Sequence, residues 1–331
     1  METLFLTDAE VRNLLSMPEV MESVELAFKQ KGYGRVQMPA KSYLHYKKYN
    51  GDLRTMPSYL EELDVSAVKI VNVHPDNPSK HGLPTVMAVV VLVDPATGCP
   101  IAIMGGTGVT YMRTGAAGGV AAKYLARKDS RIVGFVGAGT QARSQLMGLV
   151  EVFKKFEEIR VYDKSKDAQL RFVTDAEKSY PGNFEIVASE NVKEATAEAD
   201  IVVTATPSRE PIVMNNMITY GTHLTCIGAD AVGKEELDPA LLKRAKIVID
   251  DWEQASHSGE INVPLSQGML TKGNIWAEIG EIVAGSKAGR QTNEEITVFA
   301  STGLAIQDAV TAKIAYKKAL QKGIGVFSRI V

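Results

Sequence analysis

Gly134–Phe135–Val136–Gly137–Ala138–Gly139–Thr140–Gln141–Ala142 follows the β-forming run Arg131–Ile132–Val133 and leads into Leu146 and Val150 at helical spacing. This is GxGxxA in the setting a dinucleotide fingerprint requires, with a strand before it and a helix after it. Gly137 permits the tight turn, Gly139 lets the backbone approach a pyrophosphate, and Ala142 allows close packing of helix on sheet. Amides near Thr140 and Gln141, at the positive end of the helix, would face the phosphates. A second strand, 158–162, ends in Asp163, about 24 residues after Gly139. A carboxylate there accepts both ribose hydroxyls and repels a 2′-phosphate, which favours NAD over NADP; Lys164 and Ser165 beside it soften that preference.

Downstream of this turn, apolar β-forming runs recur at 184–188, 200–205, 222–228, 246–250 and 296–300, mostly with helical patterns between them. Continuous apolar strands alternating with helices predict a parallel sheet covered on both faces, a Rossmann doubly wound α/β fold. Upstream, the chain reads differently. Thr7 and Glu10 form a capping box, and Ser16, Pro18 and Glu19 start a second helix with Val20, Val24 and Phe28 on one face. From about Pro39 the period becomes that of strands, through Lys41–Leu44, Leu53–Pro57, Val68–Val71, the run Val86–Val93 and Ile101–Met104. A helix of small residues, Thr114–Ala122, leads out of this α+β unit. The last segment carries Ile306, Val310 and Ile314 on one helical face and is expected to return to the first unit. The expected organisation is therefore an α+β unit of residues 1–118 plus 304–331, with 119–303 inserted as the nucleotide domain.

The 331 residues carry 37 basic and 39 acidic side chains, a formal net charge of −2, and only two cysteines, Cys99 and Cys226. No Lys/Arg cluster suggests a nucleic-acid surface, and no run approaches the ~18 apolar residues of a membrane span. The first residues do not read as a signal peptide, and the cysteine count fits a reducing cytoplasmic setting. His45, His74, His81, His223 and His257 form no HxxxH or HExxH pair, so no metal is expected. A small-molecule partner remains.

Lys41, Arg54 and Lys69 each sit in strand-like sequence with few other charges. Converging, they would make a carboxylate pocket in which Arg54 binds an anionic head bidentately and a desolvated Lys69 transfers protons. On the bland reading they lie on a solvated strand face, where isolated Lys and Arg usually are. Asp230 follows the apolar run ending at Gly228 and is either an acid/base at the carboxyl end of a strand or the cap of a helix starting near Gly233.

Eight segments together are specific: Gln37–Met38–Pro39–Ala40–Lys41, Arg54–Thr55–Met56–Pro57, Lys69–Ile70–Val71–Asn72–Val73–His74–Pro75, Gly82–Leu83–Pro84–Thr85, Met112–Arg113–Thr114–Gly115–Ala116, the glycine turn, Gly228–Ala229–Asp230 with Gly233–Lys234–Glu235–Glu236–Leu237, and Ser301–Thr302–Gly303–Leu304–Ala305–Ile306–Gln307–Asp308. In this order they resemble the ornithine cyclodeaminase/mu-crystallin family over essentially the whole chain, and within it the archaeal NAD-dependent alanine dehydrogenases most. The resemblance implies a homodimer, makes residues 1–118 plus 304–331 the substrate-binding and dimerisation domain around an inserted NAD-binding domain of 119–303, and places Lys69 and Asp230 on the catalytic lysine and aspartate. It puts Lys41 on a basic residue that holds the substrate carboxylate. Thr85, Arg113, Thr140, Gln141, Asp163, Thr206, Lys234 and Ser301 fall on cofactor contacts, with Gly137, Gly139 and Gly228 in the same motifs. Where ornithine cyclodeaminases resemble one another in a substrate-contacting glutamate, this chain has Arg54, which favours a small neutral amino acid. The expected activity is reversible reductive amination of pyruvate to L-alanine. Cyclodeamination of ornithine or lysine, reduction of a ketimine or pyrroline-2-carboxylate, and non-catalytic nucleotide binding of the mu-crystallin kind are the alternatives.

Overall fold

The computed structural model describes residues 2–330. The chain divides into two compact units, one built from the residues up to Arg113 together with those from Leu304, the other from Thr114–Gly303.

In the first unit an eight-stranded sheet runs in the order Val326–Ser328, Thr3–Leu6, Pro100–Gly105, Val86–Val93, Val65–Val73, Gly51–Leu60, Val36–Gln37, and Ser42–Tyr46 also pairs with Gly51–Leu60. Neighbours are antiparallel except Thr3–Leu6 on Pro100–Gly105. Side chains alternate between the two faces of a strand. Along Gly51–Leu60 the buried positions are Arg54, Met56, Ser58 and Leu60; along Val65–Val73 they are Val65, Ala67, Lys69 and Val71. Register sets Met56 opposite Lys69 and Arg54 opposite Val71, so Arg54 and Lys69 share the covered face. The solvated-face reading fails for both: Arg54 is 5% and Lys69 1% exposed. The helices Met17–Gly32 and Ala305–Lys322 pack together, and the latter lies against the strands that carry Arg54 and Lys69. Thr7 and Glu10 make the reciprocal capping box, whereas Ser16 hydrogen-bonds the Glu19 carboxylate and leaves the helix amides uncapped by its side chain.

The second unit is a Rossmann sheet. Its strands lie in the order Glu185–Ala188, Glu158–Tyr162, Ile132–Val136, Ile201–Thr204, His223–Cys226, Thr297–Ala300, Lys246–Ile249, Ile275–Glu278, all parallel. Phe135, Ile159, Val161, Phe172, Ile201 and Val203 belong to one core; Val202, Leu224, Ile247 and Val298 belong to another. Strand order reverses between Ile132–Val136 and Ile201–Thr204, and a doubly wound sheet binds ligands beyond the carboxyl ends at that switch point.

Two local expectations change. The small-residue helix begins well before Thr114 and spans Gly106–Leu125. Asp230 caps no helix, because Glu235–Leu237 forms a short strand on Arg209–Val213, and the next helix, Pro239–Arg244, is capped by Asp238.

Candidate active site

The switch point carries a cavity of about 680 Å³, whose lining includes Gly137, Gly139, Asp163, Lys164, Thr206 and Arg209. That volume is within the range of small-molecule and cofactor sites. Gly137 has φ +102°, and a Cβ there would meet the Ala205 carbonyl oxygen at 2.7 Å. Its amide donates to the Tyr162 carbonyl at 2.8 Å, which fixes the turn to the second strand. Gly139 is different: a Cβ there meets nothing within 4 Å. Open space above a backbone at the start of the 14-residue helix Thr140–Phe153 is what a phosphate needs. Asp163 accepts from the Ala138 amide and from the Ser165 amide, each at 2.8 Å. These residues fit the pyrophosphate and ribose of a dinucleotide.

Beside them lies a carboxylate that the sequence reading left without a role. Glu236 is fully buried and accepts from the Thr206 amide and hydroxyl, each at 2.7 Å, from the Thr204 hydroxyl at 2.7 Å and from the Gly228 amide at 3.0 Å. It thereby ties together the segments that follow two strands, Ile201–Thr204 and His223–Cys226, and that carry three expected site residues, Thr206, Gly228 and Asp230. Its signal was its place in Glu235–Glu236–Leu237, where the flanking charges disguised a buried position. Burial raises the proton affinity of Glu236. It raises that of Glu260 further, with the Glu236 charge adding to the effect. Asp230 is held at 2.6 Å by Lys234 Nζ, and Ser301 donates to Asp250 at 3.3 Å. Thr140 and Gln141 occupy the first turn of the helix after Gly139.

In the first unit a second constellation forms. Lys69 Nζ lies 2.7 Å from Asp308 Oδ2, and Arg113 Nε lies 3.1 Å from Asp308 Oδ1. Arg113 also donates to Gln307 Oε1 at 2.9 Å. Burial, then the Arg113 charge, lowers the Lys69 pKa from 10.5 to about 7, against the opposing pull of Asp308; Lys41 adds to the lowering. Lys41, Lys69 and Arg113 thus come together near the Asp308 carboxylate. The Nε2 of Gln307 is buried and meets no acceptor among the described residues. Basic side chains beside a spare donor suit an anionic ligand.

Arg54 sits on the same face, two positions along, but its guanidinium is already engaged by Asp52, through Nε at 2.8 Å and Nη2 at 3.0 Å, and stacks on Tyr43. It therefore presents an ion pair where the sequence suggested a lone cation. Thr85 accepts the His74 amide through its carbonyl at 2.8 Å. Asp308, like Glu236, is a residue that sequence reasoning missed: it lies in the last of the eight motifs, on a helix read by its Ile306–Val310–Ile314 face.

A Rossmann unit with a fitted dinucleotide cradle, joined to a mixed-sheet unit with a buried lysine–aspartate–arginine cluster, defines a nucleotide-binding α/β protein of two units. The chain belongs to the ornithine cyclodeaminase/mu-crystallin family, whose model matches residues 1–323. It is 51% identical over 325 residues to an alanine dehydrogenase of Archaeoglobus fulgidus, covering 98% of each chain. A solved archaeal alanine dehydrogenase dimer with bound NAD superposes with a TM-score of 0.95 at 49% identity, over 100% of both chains. The Δ1-pyrroline-2-carboxylate reductase of Thermococcus litoralis, solved with NADH and L-proline, gives 0.94 at 45% identity, covering 98% of this chain and 99% of that one.

Proposed function

We propose that the chain is an NAD-dependent alanine dehydrogenase that interconverts pyruvate plus ammonia with L-alanine, working as a homodimer. The 51% identity across 98% of both chains carries the choice of alanine, and the buried Lys69 cluster supplies chemistry to match. Bound NAD supplies hydride transfer to and from the substrate Cα. Gly137, Gly139, Thr140, Gln141, Asp163, Thr206, Gly228, Lys234 and Ser301 are the proposed holders of the cofactor, and Thr85 and Arg113 are proposed as further contacts.

Lys41 offers the charge that orients a carboxylate, and holding a reactant in one pose accounts for a large part of catalysis. Arg54, neutralised by Asp52, serves as the wall of that pocket and supplies no second net charge. Lys69 Nζ holds a proton near neutral pH and can give it to the carbonyl or carbinolamine oxygen, then recover it in the reverse direction. Asp230 is proposed to take a proton from ammonium or water. The basic side chains of Lys41, Lys69 and Arg113 disfavour a second ammonium in the substrate, which argues against ornithine or lysine.

A second reading, reduction of pyrroline-2-carboxylate, is favoured by the 45% identical Thermococcus litoralis reductase. One assay separates the two. NADH oxidation is followed with pyruvate plus ammonium, then with pyrroline-2-carboxylate, and proline formation is sought from ornithine with catalytic NAD. Turnover of pyruvate and ammonium is expected; turnover of the cyclic imine alone would overturn the alanine reading.

A further inference from the structure

Asp308 is 1% exposed and sits in the first turn of the 18-residue helix Ala305–Lys322, where the helix start favours negative charge. Its two oxygens are divided, Oδ2 at 2.7 Å from Lys69 and Oδ1 at 3.1 Å from Arg113. Gln307, the residue before it, holds Arg113 a second time at 2.9 Å. Arg113 is thereby fixed by two adjacent side chains, and Oδ2 is left to Lys69. We propose that Asp308 is the positioning residue of the lysine: it fixes the direction of the Lys69 ammonium and decides how readily that nitrogen keeps its proton.

The argument starts from charge. A lysine this deep, with Arg113 and Lys41 as neighbours, would shed its proton well below neutral pH if nothing opposed them, because burial and like charge act in the same direction. Asp308 supplies the opposing charge. The groups facing Lys69 are Asp308 and Arg113 from the two helices, Lys41 from the segment before Ser42–Tyr46, and the Arg54–Asp52 pair on the neighbouring strand, which is neutral as a unit. Asp308 is thus the anion that opposes burial and the neighbouring cations at Lys69. An ion pair retained merely for stability could be replaced by apolar side chains at little cost. This one lies against a lysine whose proton affinity has been drawn down to neutrality.

The inference rests on the reading of Lys69 as the proton carrier, but its test does not require turnover. Protein labelled with 13C at lysine Cε is titrated by NMR, the Lys69 signal being assigned with Lys69→Arg. Asp308→Asn, which keeps the shape and removes the charge, is expected to lower the Lys69 midpoint by one unit or more. Arg113→Gln, which removes the competing cation and frees both oxygens of Asp308 for Lys69, is expected to raise it. The pH limb of kcat/KM should move in the same two directions in any variant that turns over. An Asp308→Asn midpoint equal to that of the parent would overturn the proposal. Should that variant fail to fold, an Arg113→Gln midpoint that stays put or falls would do the same. If both midpoints shift as expected but pyruvate and ammonium are not consumed, the positioning role stands and the alanine reading fails.

Discussion

At the scale of a single residue, Lys69 makes the most specific demand on experiment. Its pKa is lowered to about 7, so the protonated and neutral forms are both populated near neutral pH. As an acid in reductive amination it must carry the proton, and as a base in alanine oxidation it must lack it. The kcat/KM for pyruvate and ammonium is therefore expected to fall about tenfold per pH unit above about 7, while that for alanine falls tenfold per unit below it. Lys69→Ala should remove about 10²- to 10⁴-fold of the rate in both directions, as loss of a general acid–base group does. The fold should survive it, because Arg113 remains on Asp308. A pH–rate series on parent and variant checks both points; a limb near pH 7 that persists in Lys69→Ala belongs to another group.

Asp163 is the second residue with a measurable consequence. Its carboxylate holds the glycine turn through the Ala138 amide and faces a cavity also lined by Lys164 and Arg209. Asp163→Ser removes the charge that repels a 2′-phosphate and leaves the two cations. The ratio of kcat/KM for NADH over NADPH is expected to fall at least tenfold, and the KM for NADH to rise because the turn loses an anchor. An unchanged ratio would mean that the carboxylate serves the loop alone.

At the scale of the element, the glycine turn separates stability from binding. Gly137→Ala puts a Cβ 2.7 Å from the Ala205 carbonyl at φ +102°, a backbone region that L residues avoid, so the Tm of the variant should drop by several degrees. Gly139→Ala meets no protein atom within 4 Å and has an ordinary φ of −77°, so its Tm should match the parent while its Kd for NADH rises at least tenfold. Calorimetry and nucleotide fluorescence together decide the case, and a Gly139→Ala protein that binds NADH normally would place the phosphates elsewhere.

The Rossmann strands were legible because each is a short β-branched run bounded by turn residues, as in Ile201–Thr204 and Lys246–Ile249. Arg209–Val213 and Glu235–Leu237 were not. Each carries charge or proline, and their pairing is parallel and remote in sequence, so neither alternation nor a hairpin turn announces them. Glu235 and Glu236 read as the polar start of a helix, yet both are buried, 9% and 0% exposed, on a strand that needs Glu236 as an acceptor. Asp308 was hidden for a related reason. The first two turns of its helix, Ala305–Ala312, are buried on every side, so the amphipathic stripe that marks a surface helix does not apply there.

At the scale of the whole molecule, the strand Val65–Val73 shows why the site was only half legible. Val65, Ala67 and Val71 are apolar on one parity, Val68 and Ile70 on the other, so alternation could not say which face was covered and therefore where Lys69 pointed. Both parities are apolar because the two faces have different covers. One meets the helices of the first unit; the other leaves Ile70 36% and Val89 43% exposed, directly opposite each other in register. A bare apolar sheet face on a protein marks an interaction surface. In the proposed homodimer a second copy of the same face is the expected cover. Ile70→Arg with Val89→Asp would place unlike charges opposite each other within one chain, which the strand pair tolerates, whereas Ile70→Arg with Val89→Arg sets like charges across it and across any two-fold partner. Sedimentation is expected to give a dimer for the parent and a monomer for the double-arginine variant, with the far-ultraviolet circular dichroism of the two alike. Because Ile70 adjoins Lys69 on one strand, the monomer should also lose activity through a small displacement of Lys69 that leaves the strand paired. A double-arginine variant that remains dimeric would move the interface off this face, and one that is monomeric with full activity would uncouple assembly from the lysine.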